Sequence, residues 1–369
     1  MSLGPNIREF RSSDWESLQG LYRKHFGDWA YDRFRARWDW EFRTNPWVEK
    51  CPIKILVGEI DGQIVGHATS FPLPLRMFGT QRPLWCSGDL VAAPRHGLLA
   101  IMLAKQVEEG RPGLSTGMRS EAERIAHFQG SMTIPSTQTG FEFRMRSTGA
   151  VQRSLRRRLP AALRGLASRP LAALVAAFAK PGRPTLPGKP ELALEPFERF
   201  GQEHERVWAG MCEWVQCALD RDARYLNWRY VDGPARQLIK LQLRDAKGGL
   251  RGYSVAGVRV VLADDHEPCG TLGELLELVV CDVADASAVR ALASGALHAL
   301  ASTGVDAVVA TGLAAPFAAA LQEIGFTLTP SAAKMMLSFE PEELAKITAK
   351  DTRWYTSSGD GDQLFTTLL

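Results

Sequence analysis

The chain has 369 residues, 45% of them hydrophobic, with 44 basic and 41 acidic side chains and a formal net charge of +3. That length suits two domains with a buried core each, and the near balance of charge excludes a globally basic nucleic-acid-binding chain. Six scattered cysteines, with no CxxC or Cys/His pairing, point away from a disulfide framework and from a zinc site, so no metal is expected. No apolar run approaches the roughly 20 residues of a membrane helix. The N-terminus lacks the basic-then-apolar layout of a signal peptide, which makes the reducing cytoplasm the expected compartment.

In chain order, Ile7 to Arg11 alternates like a first strand, and Ser12-Ser13-Asp14 offers helix caps before a helix over Trp15 to Phe26. Trp38, Trp40 and Trp47 follow as an aromatic patch, read either as core or as a surface for sugar rings or apolar chains. Ile55 to Ile60 and Gln63 to Ser70 are apolar runs joined by Asp61-Gly62, a dipeptide that supplies the positive φ angles of a tight hairpin. A short strand, Leu90 to Ala93, then runs through Pro94-Arg95-His96-Gly97 into a helical apolar stretch. An abrupt strand-to-helix turn leaves several backbone N–H groups unpaired at one point, where the helix dipole adds to their pull on phosphate.

Between Phe143 and Pro190 there is no Asp or Glu, and eleven Lys and Arg residues fall in that window. The chain is thus one basic connector between two mildly acidic bodies. Leu155, Leu159, Leu163 and Leu166 recur at helical spacing beside Arg156, Arg157 and Arg158, and prolines break the stretch into short pieces. An interdomain helix, contact of the 153–180 segment with an anionic membrane surface, and RNA contact all remain open. RNA is disfavoured, because few aromatics are interleaved.

Beyond residue 191, Phe197 to Asp220 reads as helical, followed by the polar–aromatic cluster Arg221 to Tyr230. That cluster either packs internally or offers Arg221, Arg224 and Arg229 as an anion grip. Strands are expected over Leu238 to Leu243, Gly252 to Leu262 and Gly273 to Val280. A helix over Val289 to Ala301, a strand over Val305 to Ala310, a helix over Pro316 to Ile324 and a strand over Lys334 to Phe339 complete the layout.

The order strand, helix, hairpin, strand–loop–helix over roughly residues 5 to 145 resembles the GNAT superfamily of acyl-CoA-dependent acetyltransferases. The Tyr-Leu-Asn-Trp-Arg-Tyr run at 225–230 and the Trp354-Tyr355…Gly359-Asp360 segment resemble bacterial tandem-GNAT proteins related to polysaccharide or peptidoglycan modification. The fold this implies is α/β (α+β), two GNAT-like domains, each a mixed, mostly antiparallel sheet flanked by helices. The corresponding boundaries are 1–150 for an acyl-CoA-binding domain, 151–190 for the connector and 191–369 for a degenerate second domain. After Val280 the second half carries Asp282 and Asp285 where a pyrophosphate would be repelled.

The resemblance implies acetyl-CoA or another acyl-CoA as co-substrate, and an amine or hydroxyl of a small molecule or sugar as acceptor. It places Arg95, His96, Gly97, Leu98, Leu99 and Ala100 on the pyrophosphate, although Leu98 stands where the family's central glycine belongs. Backbone N–H groups of Leu90 and Val91 would hold the thioester carbonyl. Gly117 to Ala122 resembles the family's Gly-x-x-Asn-Glu-Ala segment, so Ser120 either touches the pantetheine or simply caps a helix. Asp89 is the candidate general base, or else a carboxylate paired with a nearby Arg. Glu121 and His127 complete the catalytic candidates; His127 or Phe128 occupies the place of the family's tyrosine acid. Cys86 reads as a nucleophile or, without a basic neighbour, as a small buried hydrophobe. A catalytically inactive tandem protein bound to a cell-envelope assembly or membrane, and an aminoacyl transferase using charged tRNA, are the competing readings.

Overall fold

The computed structural model describes residues 5–116, 120–145, 157, 192–235, 237–331, 334–361 and 368. The first part of the chain runs β1 (Asn6–Glu9), α1 (Trp15–Phe26), α2 (Asp28–Phe42), β2 (Lys54–Ile60), β3 (Gln63–Met77) and β4 (Thr80–Ala92). It continues through α3 (Gly97–Glu108), β5 (Gly113–Thr116), α4 (Ser120–Phe128), β6 (Met132–Thr133) and β7 (Thr139–Arg144). The second part comprises β8 (Leu192–Pro196), α5 (Gln202–Met211), β9 (Cys217–Leu219), α6 (Ala223–Tyr230), β10 (Ile239–Asp245), β11 (Leu250–Leu262) and β12 (Pro268–Val280). Then follow α7 (Ala286–Ala301), β13 (Ala307–Thr311), α8 (Phe317–Glu323), β14 (Thr327–Pro330), β15 (Met335–Ser338) and α9 (Pro341–Ile347). Among the described residues, no helix is long and apolar enough to cross a membrane.

These elements form two compact units. The first joins Met1–Pro135 with Ala333–Thr352, around a sheet of order β1-β2-β3-β4-β5-β15-β6. The second joins Ser136–Ala332 with Arg353–Leu369, around a sheet of order β14-β7-β13-β12-β11-β10-β8. Within these two orders every neighbouring pair is antiparallel except β4 with β5 and β12 with β13. A helix separates the strands of each parallel pair, α3 in one unit and α7 in the other, as a parallel crossover requires.

The boundaries differ from the contiguous 1–150 and 191–369 expected from sequence. β7, early in the chain, pairs with β13 and β14 in the second unit's sheet. β15, late in the chain, pairs with β5 and β6 in the first. Each strand completes a sheet that the rest of its own half of the chain does not build. The expected 151–190 connector lies outside the described residues except for Arg157, an exposed side chain 3.5 Å from Asp264.

Within the first unit, α3 covers one face of the sheet through a single stripe. Leu99, Leu103 and Val107, at i, i+4 and i+8, pack on Leu56 and Ala68. The helix comes this close because β2 and β3 present glycines beneath it. A Cβ at Gly66 would lie 2.8 Å from Leu103 Cδ1 and 2.8 Å from Leu99 Cδ2. Gly66→Ala should therefore cost about 1–3 kcal/mol by overpacking, read as a fall in the urea midpoint; an unchanged midpoint would contradict this packing argument.

The opposite face is covered by α1 and α2 with an aromatic layer. Tyr22 stacks on Phe34 at 3.9 Å, and Trp38 meets Phe42 edge-on at 4.8 Å. Trp38 and Trp40 are buried members of α2, so that part of the tryptophan patch is core. The sequence reading had no helix there. It also ended the hairpin's second strand at Ser70, whereas β3 continues to Met77 and turns back through Phe78-Gly79 into β4. In the second unit, the helix expected over Phe197 to Asp220 is confined to α5, and β9 follows it.

Candidate functional site

β4 pairs with β3 on one edge throughout its length, but with β5 on the other edge only over Trp85–Ser87. The described register with β5 ends at Ser87 and Ser115, residues 117–119 lie outside the described set, and the β4 edge over residues 88–92 has no second strand partner among the described residues. In this open stretch the register with β3 slips, so that His67 faces Val91 while Thr69 faces Gly88. One extra residue is thus inserted at Asp89-Leu90, a β-bulge, and Asp89 takes the left-handed conformation with φ 51°. Asp tolerates that region better than most side chains.

The loop that follows turns through Arg95 at φ 75° and delivers the chain into α3. His96 sits at the N-cap without a side-chain cap bond. The Ala100 N–H donates to the His96 carbonyl at 3.2 Å, so it is already engaged. The N–H groups of Gly97, Leu98 and Leu99 have no acceptor among the described residues. Gly97 is exposed, with nothing within 4 Å of where a Cβ would stand. Leu98 extends into solvent at 69% exposure, while Leu99 is buried against the sheet. Gly97, one residue early, thus leaves the backbone bare beside the Leu98 side chain.

Asp89 is buried and ion-paired through Oδ1 with the buried Arg37 of α2, whose Nε lies 3.6 Å from Glu41. The pairing alternative read from the sequence is thus what the fold builds. The second oxygen, Oδ2, has no partner among the described residues. Beside it, His67 Nδ1 and the Tyr22 hydroxyl are 3.0 Å apart. Burial pushes the His67 pKa down to about 4, against the pull of the nearby Asp89 carboxylate. Tyr22 is held well above the ordinary tyrosine range, first by burial and then by Asp89.

The His67 shift has a consequence for stability. The unfolded chain binds a proton near pH 6.5, whereas the native state resists it until about pH 4. Stability should therefore fall as pH drops through that window, by up to about 3 kcal/mol. Urea unfolding at pH 7 and pH 4.5 tests this: His67→Phe should show a shallower pH slope than the wild type, and equal slopes would contradict the assignment.

The other sequence candidates are dispersed. His127, near the end of α4, is exposed, its Nε2 3.9 Å from Glu123, and no described contact joins it to Asp89. Ser120 and Glu121 open α4 by backbone; their side chains, and residues 117–119, lie outside the described set. Cys86 is fully buried opposite Leu114, as the hydrophobe reading has it. Arg37 and Glu108 were not singled out from sequence. The usable signal for Arg37 was a basic residue four before Glu41 inside an aromatic run.

In the second unit the equivalent helix start is closed. Asp285 caps α7 by accepting from the Ala288 N–H at 3.0 Å, and it pairs with Arg251 at 2.8 Å. A carboxylate thus occupies the place where an anion would bind. Arg221 and Arg229 are buried, Arg221 against Asp360 at 2.6 Å and Arg229 against the carbonyls of Gly359 and Gly361. Neither is open to an anion, whereas Arg224 is exposed, so internal packing accounts for two of the three arginines.

No family model matches the sequence, and no curated protein matches it. Solved structures do match. Saccharomyces cerevisiae N-myristoyltransferase with bound myristoyl-CoA gives a TM-score of 0.57 at 12% identity, over 91% of this chain and 83% of that one. A probable N-acyltransferase from Enterococcus faecalis gives 0.51 at 13% identity, over 93% and 74%. A GCN5-related N-acetyltransferase from Anabaena variabilis gives 0.52 at 15% identity, over 90% and 72%. The expectation of two mixed sheets flanked by helices is met in both units. The chain thus shares the fold of these solved structures over most of its length, with two mixed sheets each flanked by helices.

Proposed function

We propose that the first unit transfers an acyl group from acyl-CoA, acetyl-CoA in the simplest case, to an amine or hydroxyl of a small-molecule or sugar acceptor. One observation carries the reading: the open edge of β4, its bulge at Asp89 and the unpaired N–H groups that start α3 are contiguous. The pyrophosphate sits on the N–H groups of Gly97, Leu98 and Leu99 with Arg95 beside them, where the helix dipole favours negative charge. The pantetheine lies back along β4, and the thioester oxygen accepts from the backbone N–H of Leu90 at the bulge, since Val91 faces His67 in the β3 ladder. Fixed donors of this kind contribute several kcal/mol as the oxyanion forms.

The acceptor nitrogen or oxygen then forms its bond to the carbonyl carbon, and the C–S bond breaks. The acceptor's proton passes, directly or through water, to Asp89, whose buried Oδ2 lies by the Tyr22 hydroxyl while Arg37 fixes the carboxylate's orientation. The thiolate takes its proton from solvent. The test is thiol release from acetyl-CoA with a panel of amino sugars and simple amines. Acceptor-dependent release above the hydrolytic background supports the reading; none with any acceptor or acyl chain length counts against transfer.

A further inference from the structure

The end of the described β4–β5 register is marked by one carboxyl group. Ser87 and Ser115 form the last pair of the parallel register, and both hydroxyls donate to Oε1 of Glu108, at 2.9 and 3.3 Å. Glu108 ends α3, next to a stripe that is otherwise leucine and valine. Its Oε2 has no hydrogen-bond partner among the described residues. Burial raises its pKa, and the two serine hydroxyls oppose that rise only in part. Glu108 is half-buried and its Oε2 keeps contact with water; an apolar group laid over that oxygen would strip its hydration and offer no donor in return.

The proposed path of acyl-CoA leads to this group. With the pyrophosphate at α3 and the thioester at Leu90, the acyl group points along β4 toward Ser87. That distance is three residue steps, roughly 10 Å of strand. A short acyl group ends before Glu108. A long hydrocarbon chain would press methylenes on the carboxyl and give its free oxygen nothing in return.

Resting on the acyl-CoA reading of the first unit, we infer that Glu108 determines which acyl group is used. It admits short acyl groups, prefers those that carry a hydroxyl near their end, and rejects long hydrocarbon chains.

The experiment is calorimetric binding of CoA, acetyl-CoA, butyryl-CoA, 3-hydroxybutyryl-CoA and octanoyl-CoA to the wild type, Glu108→Gln and Glu108→Met. The wild type should bind octanoyl-CoA at least about tenfold more weakly than acetyl-CoA, and 3-hydroxybutyryl-CoA more tightly than butyryl-CoA. Glu108→Met should narrow the octanoyl-to-acetyl gap by about tenfold or more. Glu108→Gln still accepts from both serines and is the variant to read should the methionine protein not fold; it narrows the gap less, in the same direction. Octanoyl-CoA binding the wild type as tightly as acetyl-CoA, or the same chain-length order in every folded variant while CoA itself binds, overturns the role of Glu108 alone. Absence of CoA binding to the wild type overturns the acyl-CoA reading beneath it.

Discussion

Arg221→Ala should cost the protein about 3–5 kcal/mol of stability, because it strands two buried carboxylates at once. The Arg221 guanidinium is wholly buried, 2.6 Å from Asp360 and 3.3 Å from Glu277. Burial disfavours its charge, yet the Asp360 and Glu277 carboxylates outweigh that and hold it protonated. Glu277 is further tied by the hydroxyls of Tyr230, Ser357 and Tyr355, at 2.7, 3.0 and 2.8 Å. The segment from Trp354 to Gly361 is thereby clamped to the core of the second unit, with Arg229 holding the carbonyls of Gly359 and Gly361. Against a total stability of about 5–15 kcal/mol, a loss of this size threatens folding at physiological temperature. Urea denaturation measures it. A loss under about 1 kcal/mol would mean that water enters and pairs the carboxylates, and the clamp would not be structural.

Asp89→Asn should lower the turnover number by about a hundred- to ten-thousandfold, the range a positioned general base contributes. The substitution keeps an oxygen for Arg37 and nearly the same volume, so the fold around the bulge is retained. What it removes is the ability of the second oxygen to take a proton. Acyl-CoA affinity should change little, since the proposed site holds that ligand by the backbone of β4 and the start of α3. A turnover number within threefold of the wild type would assign Asp89 to the Arg37 pairing alone. A matched loss of affinity and rate would assign it to shaping the bulge.

The parts of the fold written in local chemistry were readable from sequence. Asp61 and Gly62 take φ angles of 49° and 77°, as that dipeptide suggests, and α1 spans Trp15–Phe26 as its caps and periodicity imply. The strand-to-helix turn at Pro94 to Gly97 was legible for the same reason. The long β3–β4 hairpin was not. Pro72, Pro74 and Pro83 have no N–H to give a ladder, yet Pro72 faces Trp85 and Pro74 faces Pro83 in it. α2 was hidden because arginines and aspartates are mixed through its aromatics, which blurs the helical period.

The exchange of β7 and β15 between the sheets was illegible for a different reason. Its determinants are pairings such as Val308 with Phe143 and Leu114 with Leu337, between segments far apart in sequence. Nothing in a short alternating run names its partner strand. The site divides the same way. The proposed loop and helix start are local features of the sequence, whereas the contacts of Arg37 with Asp89 and of Glu108 with Ser87 and Ser115 join separate elements and carry no local signal.

The most direct measurement is isothermal titration of the purified protein with acetyl-CoA, with S-acetylpantetheine, which lacks the phosphates, as the comparison. The predicted result is one site per chain, with acetyl-CoA binding at least about a hundredfold more tightly, since the phosphates contribute through charge-assisted bonds at the start of α3. No heat with either ligand at millimolar concentration, or equal affinity for both, would contradict a phosphate-binding helix start and with it the acyl-CoA site.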